Sequence, residues 1–238
     1  MNDPRESKAP WPSLTPLLTR LGALCETAKR LTRVDGAVVA ALMSSESREL
    51  VYATDSVAER IDELQFTVGE GPCRDASSSQ LPQLCPHINA RGPRQRWPAL
   101  SAGVEDLDIG AIFAFPVPGP LHSLVVLELY RRAAGRLTDA QLNSAHLCAE
   151  QIGHTVVSSL PAAASPAETA LLAEAALLHP GNPFNRSEVA VAAEMVALQL
   201  NVSSDEALAR IRAHAYAQNL SVTLAAVDIM AGRLELHV

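Results

Sequence analysis

Residues 160–167, Leu-Pro-Ala-Ala-Ala-Ser-Pro-Ala, combine two prolines with no charge and little that could build a core. Proline interrupts both helix and sheet hydrogen bonding, so the run reads as a break between folding units. Before it the pattern mixes helices with strands; after it only helical periodicity remains. That one boundary divides the 238-residue chain into an α+β domain over 1–160, a linker and connecting helix over 161–182, and an all-α three-helix domain over 183–238. Both domains fall within ordinary domain sizes.

The first domain opens with a helix that Thr15 caps and Pro16 begins. Leu17, Leu21, Leu24, Ala28 and Leu31 recur along it at steps of four and three. The same spacing links Leu142, Ala145, Ala149, Ile152 and Val156 on a later helix, where Thr138 and Gln141 form a capping box. Such stripes suit a four-helix seam in a homodimer, and equally burial against the domain's own sheet; both readings stay open. Between the two helices, residues 36–43, 50–54, 110–116 and 121–130 read as strands by their apolar and β-branched content. A polar turn over 44–49 joins the first two as a hairpin. Short helices are expected over 55–65 and 97–103. This order predicts an antiparallel sheet with its helices gathered on one face, a sensory type of α+β architecture.

In the last domain Ser203 caps a helix, with Glu206 at the capping-box position. Leu208, Ile211 and Ala215 form its apolar face, which leaves Arg210, Arg212, His214 and Gln218 for solvent or phosphate. A further helix buries some of Leu224, Ala225, Ile229 and Met230 and ends at Arg233. The helix before both shows two apolar faces, one through Val189, Ala193, Val196 and Leu200, the other through Val191, Met195 and Leu198. One face closes the three-helix unit; the other must meet a dimer partner or the first domain.

Charge opposes a broad nucleic-acid surface. The net formal charge is −7, and the residues beyond 160 hold four arginines against eight acids, a net of −4. Affinity for phosphate backbones needs clustered cations. The stretch 109–127 contains Pro116, Pro118 and Pro120 and reads as strands around a turn, not as a membrane span. Residues 1–11 are polar and Pro-rich, unlike a secretory leader. Cys25, Cys73, Cys85 and Cys148 lack metal or disulfide spacing. These features predict a soluble cytoplasmic protein with reduced thiols.

Three stretches of the first domain, Val68-Gly69-Glu70-Gly71-Pro72-Cys73-Arg74-Asp75-Ala76, Arg96-Trp97-Pro98-Ala99 and Ile112-Phe113-Ala114-Phe115-Pro116, resemble the GAF domains of actinobacterial GAF-plus-ANTAR transcription regulators. Residues 201–208 and 210–215 resemble the centre of the ANTAR domain, and 227–234 its final helix. The resemblance spans roughly residues 15 to 236. It implies a GAF-like sensor of a small ligand or state, and an ANTAR-like unit that binds paired hairpins in nascent RNA to block a terminator. It also nominates Arg186, Arg210, Arg212, His214, Gln218 and Arg233 for RNA contact. The chain departs from the pattern where Ala192, Ala193 and Glu194 replace a common Ala-Lys-Gly, where Asn201 replaces a common Gly, and where Leu224 and Val227 replace polar residues.

For a ligand in the GAF-like domain the candidates are Gly71, Cys73, Arg74, Trp97, Phe113 and Phe115. Pro72 suits a first helical position, so free amides after it could hold an anion and lower the Cys73 thiol pKa beside Arg74. The competing reading has Gly71 and Pro72 shape the turn while Cys73 packs as a small apolar group. Trp97, Phe113 and Phe115 either line a pocket or fill the core. His87, His122, His146 and His154 lack ligand spacing; the last two stand about 12 Å apart along one helix. No metal, cofactor or catalytic signature is read. Two functions are carried forward: a dimeric signal-responsive regulator acting on RNA hairpins, its signal passing through the bracketing helices and linker, and a dimerising interaction protein whose ANTAR-like unit has lost RNA binding. A redox protein using Cys73 is a third.

Overall fold

The computed structural model describes residues 15–42, 48–121, 124–163, 165–177 and 186–236. The polar turn expected over 44–49 falls largely outside them. Helix α1 (Thr15–Thr32) leads into β1 (Gly36–Leu42) and β2 (Arg48–Ala53), then α2 (Ser56–Val68), α3 (Pro72–Ser79), β3 (Gln83–Cys85), α4 (Arg91–Arg96) and α5 (Pro98–Gly103). Strands β4 (Ala111–Pro116) and β5 (Val125–Arg131) follow, and α6 (Asp139–Val157) closes the unit. The five strands form one antiparallel sheet in the order β2-β1-β5-β4-β3. The expected α+β architecture is therefore present.

The helices do not gather on one face. Ala37, Val39, Ala41, Phe113, Phe115, Leu127 and Leu129 pack with α1 and α6. The alternate residues Val38, Ala40, Ile112 and Tyr130 pack with Ile61 and Leu64 of α2, Trp97, and Leu100 of α5. Burial of both faces is why β1 is apolar at every position and shows no alternation. Strand β3, missed by apolar content, is a three-residue edge strand with an exposed leucine, Leu84. Leu121 belongs to a 3-10 turn, Gly119–Leu121, and β5 begins at Val125.

The two striped helices lie against each other and the sheet, burying Leu17, Leu21, Ala28, Ala145, Ala149, Ile152 and Val156 within one chain. Leu31 is left half exposed, while Cys25 enters the buried row. The capping box forms as read, with Gln141 N donating to Thr138 Oγ1 and Thr138 N to Gln141 Oε1. Helix α7 (Pro166–Leu177) inserts Ala173 and Leu177 into the same core.

Helices α8 (Ser187–Leu200), α9 (Ser204–Ala217) and α10 (Val222–Met230) enclose a separate core of Val189, Val196, Ile211, Ala215, Val222 and Ile229. Asn201 ends α8 with φ 53°, a left-handed cap that asparagine supplies where glycine is common. The second apolar face of α8 is not buried inside the chain: Val191 and Leu198 are exposed, Leu198 by 83%. Leu224, Val227 and Met230 of α10 are exposed as well.

Candidate functional site

Helix α2 places the site, because it belongs to both units. Asp55 caps its start, accepting from Val57 N and Ala58 N, and Gly69 closes it at φ 69°. Ile61 and Leu64 face the sheet. Phe66 enters the core of the three-helix unit. Asp62 and Gln65 point into a buried polar cluster. Arg48 Nε donates to Asp62 Oδ1 at 2.8 Å, and Arg186 Nη2 donates to Asp62 Oδ2 at 2.8 Å and Glu63 Oε2 at 2.9 Å. Arg186 Nη1 also donates to the Arg48 carbonyl at 3.0 Å, and its amide to Glu49 Oε2 at 2.9 Å. Beyond this pair of arginines, Gln65 Nε2 and Cys73 Sγ donate to the Glu128 carboxylate at 2.7 and 2.9 Å. The Cys73 amide donates to Gln65 Oε1 at 3.1 Å.

Burial acts on Asp62, Glu49 and Glu128, and its balance against the neighbouring cations and donors sets each outcome. It works to raise Asp62, but Arg48 and Arg186 overcome it and hold that carboxyl below its usual range. Burial raises Glu128 despite the pull of Arg48 and its donors. Glu49 is pushed by burial up to about 7, against the opposing Arg186 amide and guanidinium. Burial drives the Cys73 thiol well above its usual value; Arg48 opposes this and Glu128 adds to it. The reactive-thiol reading of Cys73 is thereby overturned: it is fully buried and protonated, and its amide, one of those proposed for an anion, serves Gln65.

Phe66 is faced by two guanidinium groups, Arg186 at 4.1 Å and Arg212 at 4.8 Å from the ring centroid. Beside them lies a groove of about 370 Å³ between α2, α3, α5 and α9, lined by Thr67, Gly69, Arg74, Arg212 and Tyr216 among others. Arg74 Nη1 donates to the Gly69 carbonyl at 2.7 Å.

The residues nominated from sequence separate into groups. Gly71, at φ 141°, begins α3 against the Gln65 side chain. Trp97 is buried, its indole N–H donating to Asp75 Oδ2 at 3.0 Å. Phe113 and Phe115 lie on the opposite sheet face from Trp97, so the three share no pocket; all are core. Arg186 and Arg212 are buried, at 6% and 7% exposure, where solvent or phosphate was expected. Both lie near Phe66, a contact invisible in local sequence. Arg210 pairs with Glu206 at 2.6 Å, and Arg233 with Asp228 at 2.6 Å. Gln218 is exposed and His214 half buried. The acids Asp62, Glu63, Glu49 and Glu128, which organise the site, were not nominated. Among the described residues, no group of three or more His, Cys, Asp or Glu could hold a metal.

No family model matches the chain, and no curated protein matches it. Among solved structures, it is similar to a domain of a two-component sensor histidine kinase protein from Sinorhizobium meliloti 1021, at 15% identity and a TM-score of 0.46, over 58% of this chain and 88% of that one. It is also similar to the photoproduct state of GAF3 from Slr1393 of Synechocystis sp. PCC6803, at 16% identity and a TM-score of 0.49, over 60% and 94%. Among the described residues no helix is long and apolar enough to cross a membrane.

Proposed function

We propose that the chain is a signal-responsive regulator in which a GAF-like α+β unit governs an ANTAR-like three-helix unit acting on paired RNA hairpins. The observation that carries this reading is the mode of docking. Arg186 and Arg212, two of the six residues nominated for RNA contact, are buried beside Phe66 of the sensory unit. The docked form thus withholds cations that an RNA-binding surface would display. A signal that loosened the hold of α2 on Arg186 would expose them, and the path runs through α2, not through α1, α6 and the linker. RNA backbone affinity rests on such cations and falls with salt.

A second reading is an interaction protein that has lost RNA binding and works as a homodimer. The exposed Val191, Leu198, Leu224 and Val227, with Arg210 and Arg233 each paired to an acid of its own helical unit, favour it. A gel-shift with an RNA carrying two adjacent hairpins separates the two. Wild-type protein is expected to bind weakly, and Glu63→Ala, which removes an acceptor from Arg186 and from Val222 N, to bind more tightly with a steeper salt dependence. If neither protein shifts the RNA even at low salt, the RNA reading fails and light scattering on the same samples tests the dimer.

A further inference from the structure

We propose that docking of the three-helix unit on the sensory unit is a proton-controlled switch whose sensing group is the Glu49 carboxyl of β2, enclosed in its protonated form beneath the residue that leads into α8 and releasing the unit when the proton is lost. The switch concerns docking itself and holds whether or not the released unit binds RNA.

The carboxyl lies at the seam between the units. Arg48 and Glu49 begin β2, an edge strand of the sheet. Arg186 closes over both, its amide donating to Glu49 Oε2 at 2.9 Å and its Nη1 to the Arg48 carbonyl at 3.0 Å. Glu49 is left only 5% exposed. The Arg186 guanidinium is directed past it, with Nη2 reaching Asp62 and Glu63 of α2, and Arg48 also holds Asp62. Two cations thus face two carboxylates, and an ionised Glu49 is a third negative charge in the same enclosed cluster. Glu188 of α8 adds another from the docked side and acts to raise Glu49, as does Asp62. Of the other neighbours, β1 sets the uncharged Ala41 opposite Glu49, Cys25 and Glu26 of α1 act on Tyr52, and Arg212 of α9 faces the Phe66 ring.

The enclosure fixes the direction of the response. Removing a carboxyl from water favours its neutral form, and Glu49 in the docked arrangement titrates at about 7 against an ordinary 4.5. Separation of the units returns it to water and to the ordinary value. The docked form therefore holds a proton that the separated form gives up. Its contribution to docking is full below 4.5 and is lost as the pH rises through about 7. Between about pH 6 and about pH 8 the docking constant falls about tenfold. Separation uncovers Arg186 and Phe66, and frees two amides that donate across the seam, Arg186 N to Glu49 and Val222 N to Glu63.

Amide hydrogen exchange of the full chain, without RNA, resolved by nuclear magnetic resonance and corrected for the chemical exchange rate, tests the switch at matched ionic strength. The Arg186 and Val222 amides are expected to be less protected than those of the central strand β5, because they open by undocking and not by global unfolding. Their protection is expected to fall about tenfold from about pH 6 to about pH 8. Glu49→Gln, which keeps an acceptor for the Arg186 amide but cannot ionise, should stay docked and flatten that fall. Glu188→Gln, on a partly exposed side chain outside the arginine cluster, should move the fall to lower pH, and it decides the matter should Glu49→Gln fail to fold. Protection that does not change with pH, a fall that persists in Glu49→Gln, or a fall that Glu188→Gln leaves in place overturns the proposal. So does equal protection of the Arg186, Val222 and β5 amides at every pH, since the units would then part only when the whole chain unfolds.

Discussion

Gly71 shows how one residue is constrained from two sides. Its φ of 141° suits glycine, and an added Cβ would clash with the Gln65 side chain at Oε1. Gly71→Ala is therefore expected to destabilise the protein by about 1–3 kcal/mol, measured by urea unfolding, because Gln65 would have to release either the Cys73 amide or Glu128. Cys73 itself should be inert. Its thiol is buried, donates to Glu128 and titrates well above the usual range. Alkylation of native protein near neutral pH should proceed far more slowly than for an exposed thiol, and a rate equal to that of denatured protein would refute this protonated, enclosed state. Local sequence announced the turn at Gly71 and Pro72, but not which group waited behind it.

At the scale of the element, α2 is where the two units become one molecule. Thirteen residues serve the sheet through Ile61 and Leu64, the polar cluster through Asp62 and Gln65, and the helical core through Phe66. Asp62 is fully buried between Arg48 and Arg186. Removing its charge leaves both cations buried and partly uncompensated, so Asp62→Asn should cost about 3–5 kcal/mol in a thermal or urea melt. Arg210→Ala, which breaks only a partly exposed pair on α9, should cost less than about 1 kcal/mol. Equal losses for the two would contradict the role of Asp62 as the buried partner of Arg48 and Arg186. The helical periodicities of α1, α6 and α8 were legible, as were the caps at Thr138 and Ser203. What covers each stripe was not, because a heptad pattern states only that a face is apolar. The tertiary structure covers α1 and α6 internally and leaves part of α8 exposed.

For the whole molecule the buried carboxylates set a pH profile. Glu49 is raised from 4.5 to about 7 in the folded state, and Glu128 is also raised. An acid with a raised folded value binds its proton more tightly folded than unfolded, so its stabilising effect is full below the unfolded value and is lost as pH rises through the folded one. For Glu49 that window runs from about 4.5 to 7. Asp62 is lowered from 3.8; its contribution is present above that value and disappears on further acidification. Melting temperature should thus decline from mildly acidic toward neutral pH, decline again at strong acidity, and lose part of the upper limb in Glu49→Gln. A flat profile between pH 4.5 and 7 would refute the Glu49 assignment.

Sequence alone determined the order of most elements, the helical pattern of the last part of the chain and the acidity of both halves. Each follows from local rules of capping, periodicity and proline geometry acting over a few residues. It did not determine that helices cover both faces of the sheet, since strands buried on two sides carry no alternation to read. Nor did it show Arg186 meeting Asp62 across 124 residues, or Arg74 and Arg212 flanking one groove. A charge that reads as surface in its own helix becomes interior when another unit docks over it. The destination of the net charge of −7 is therefore a tertiary result: several of its acids lie inside, holding the arginines that would otherwise face solvent.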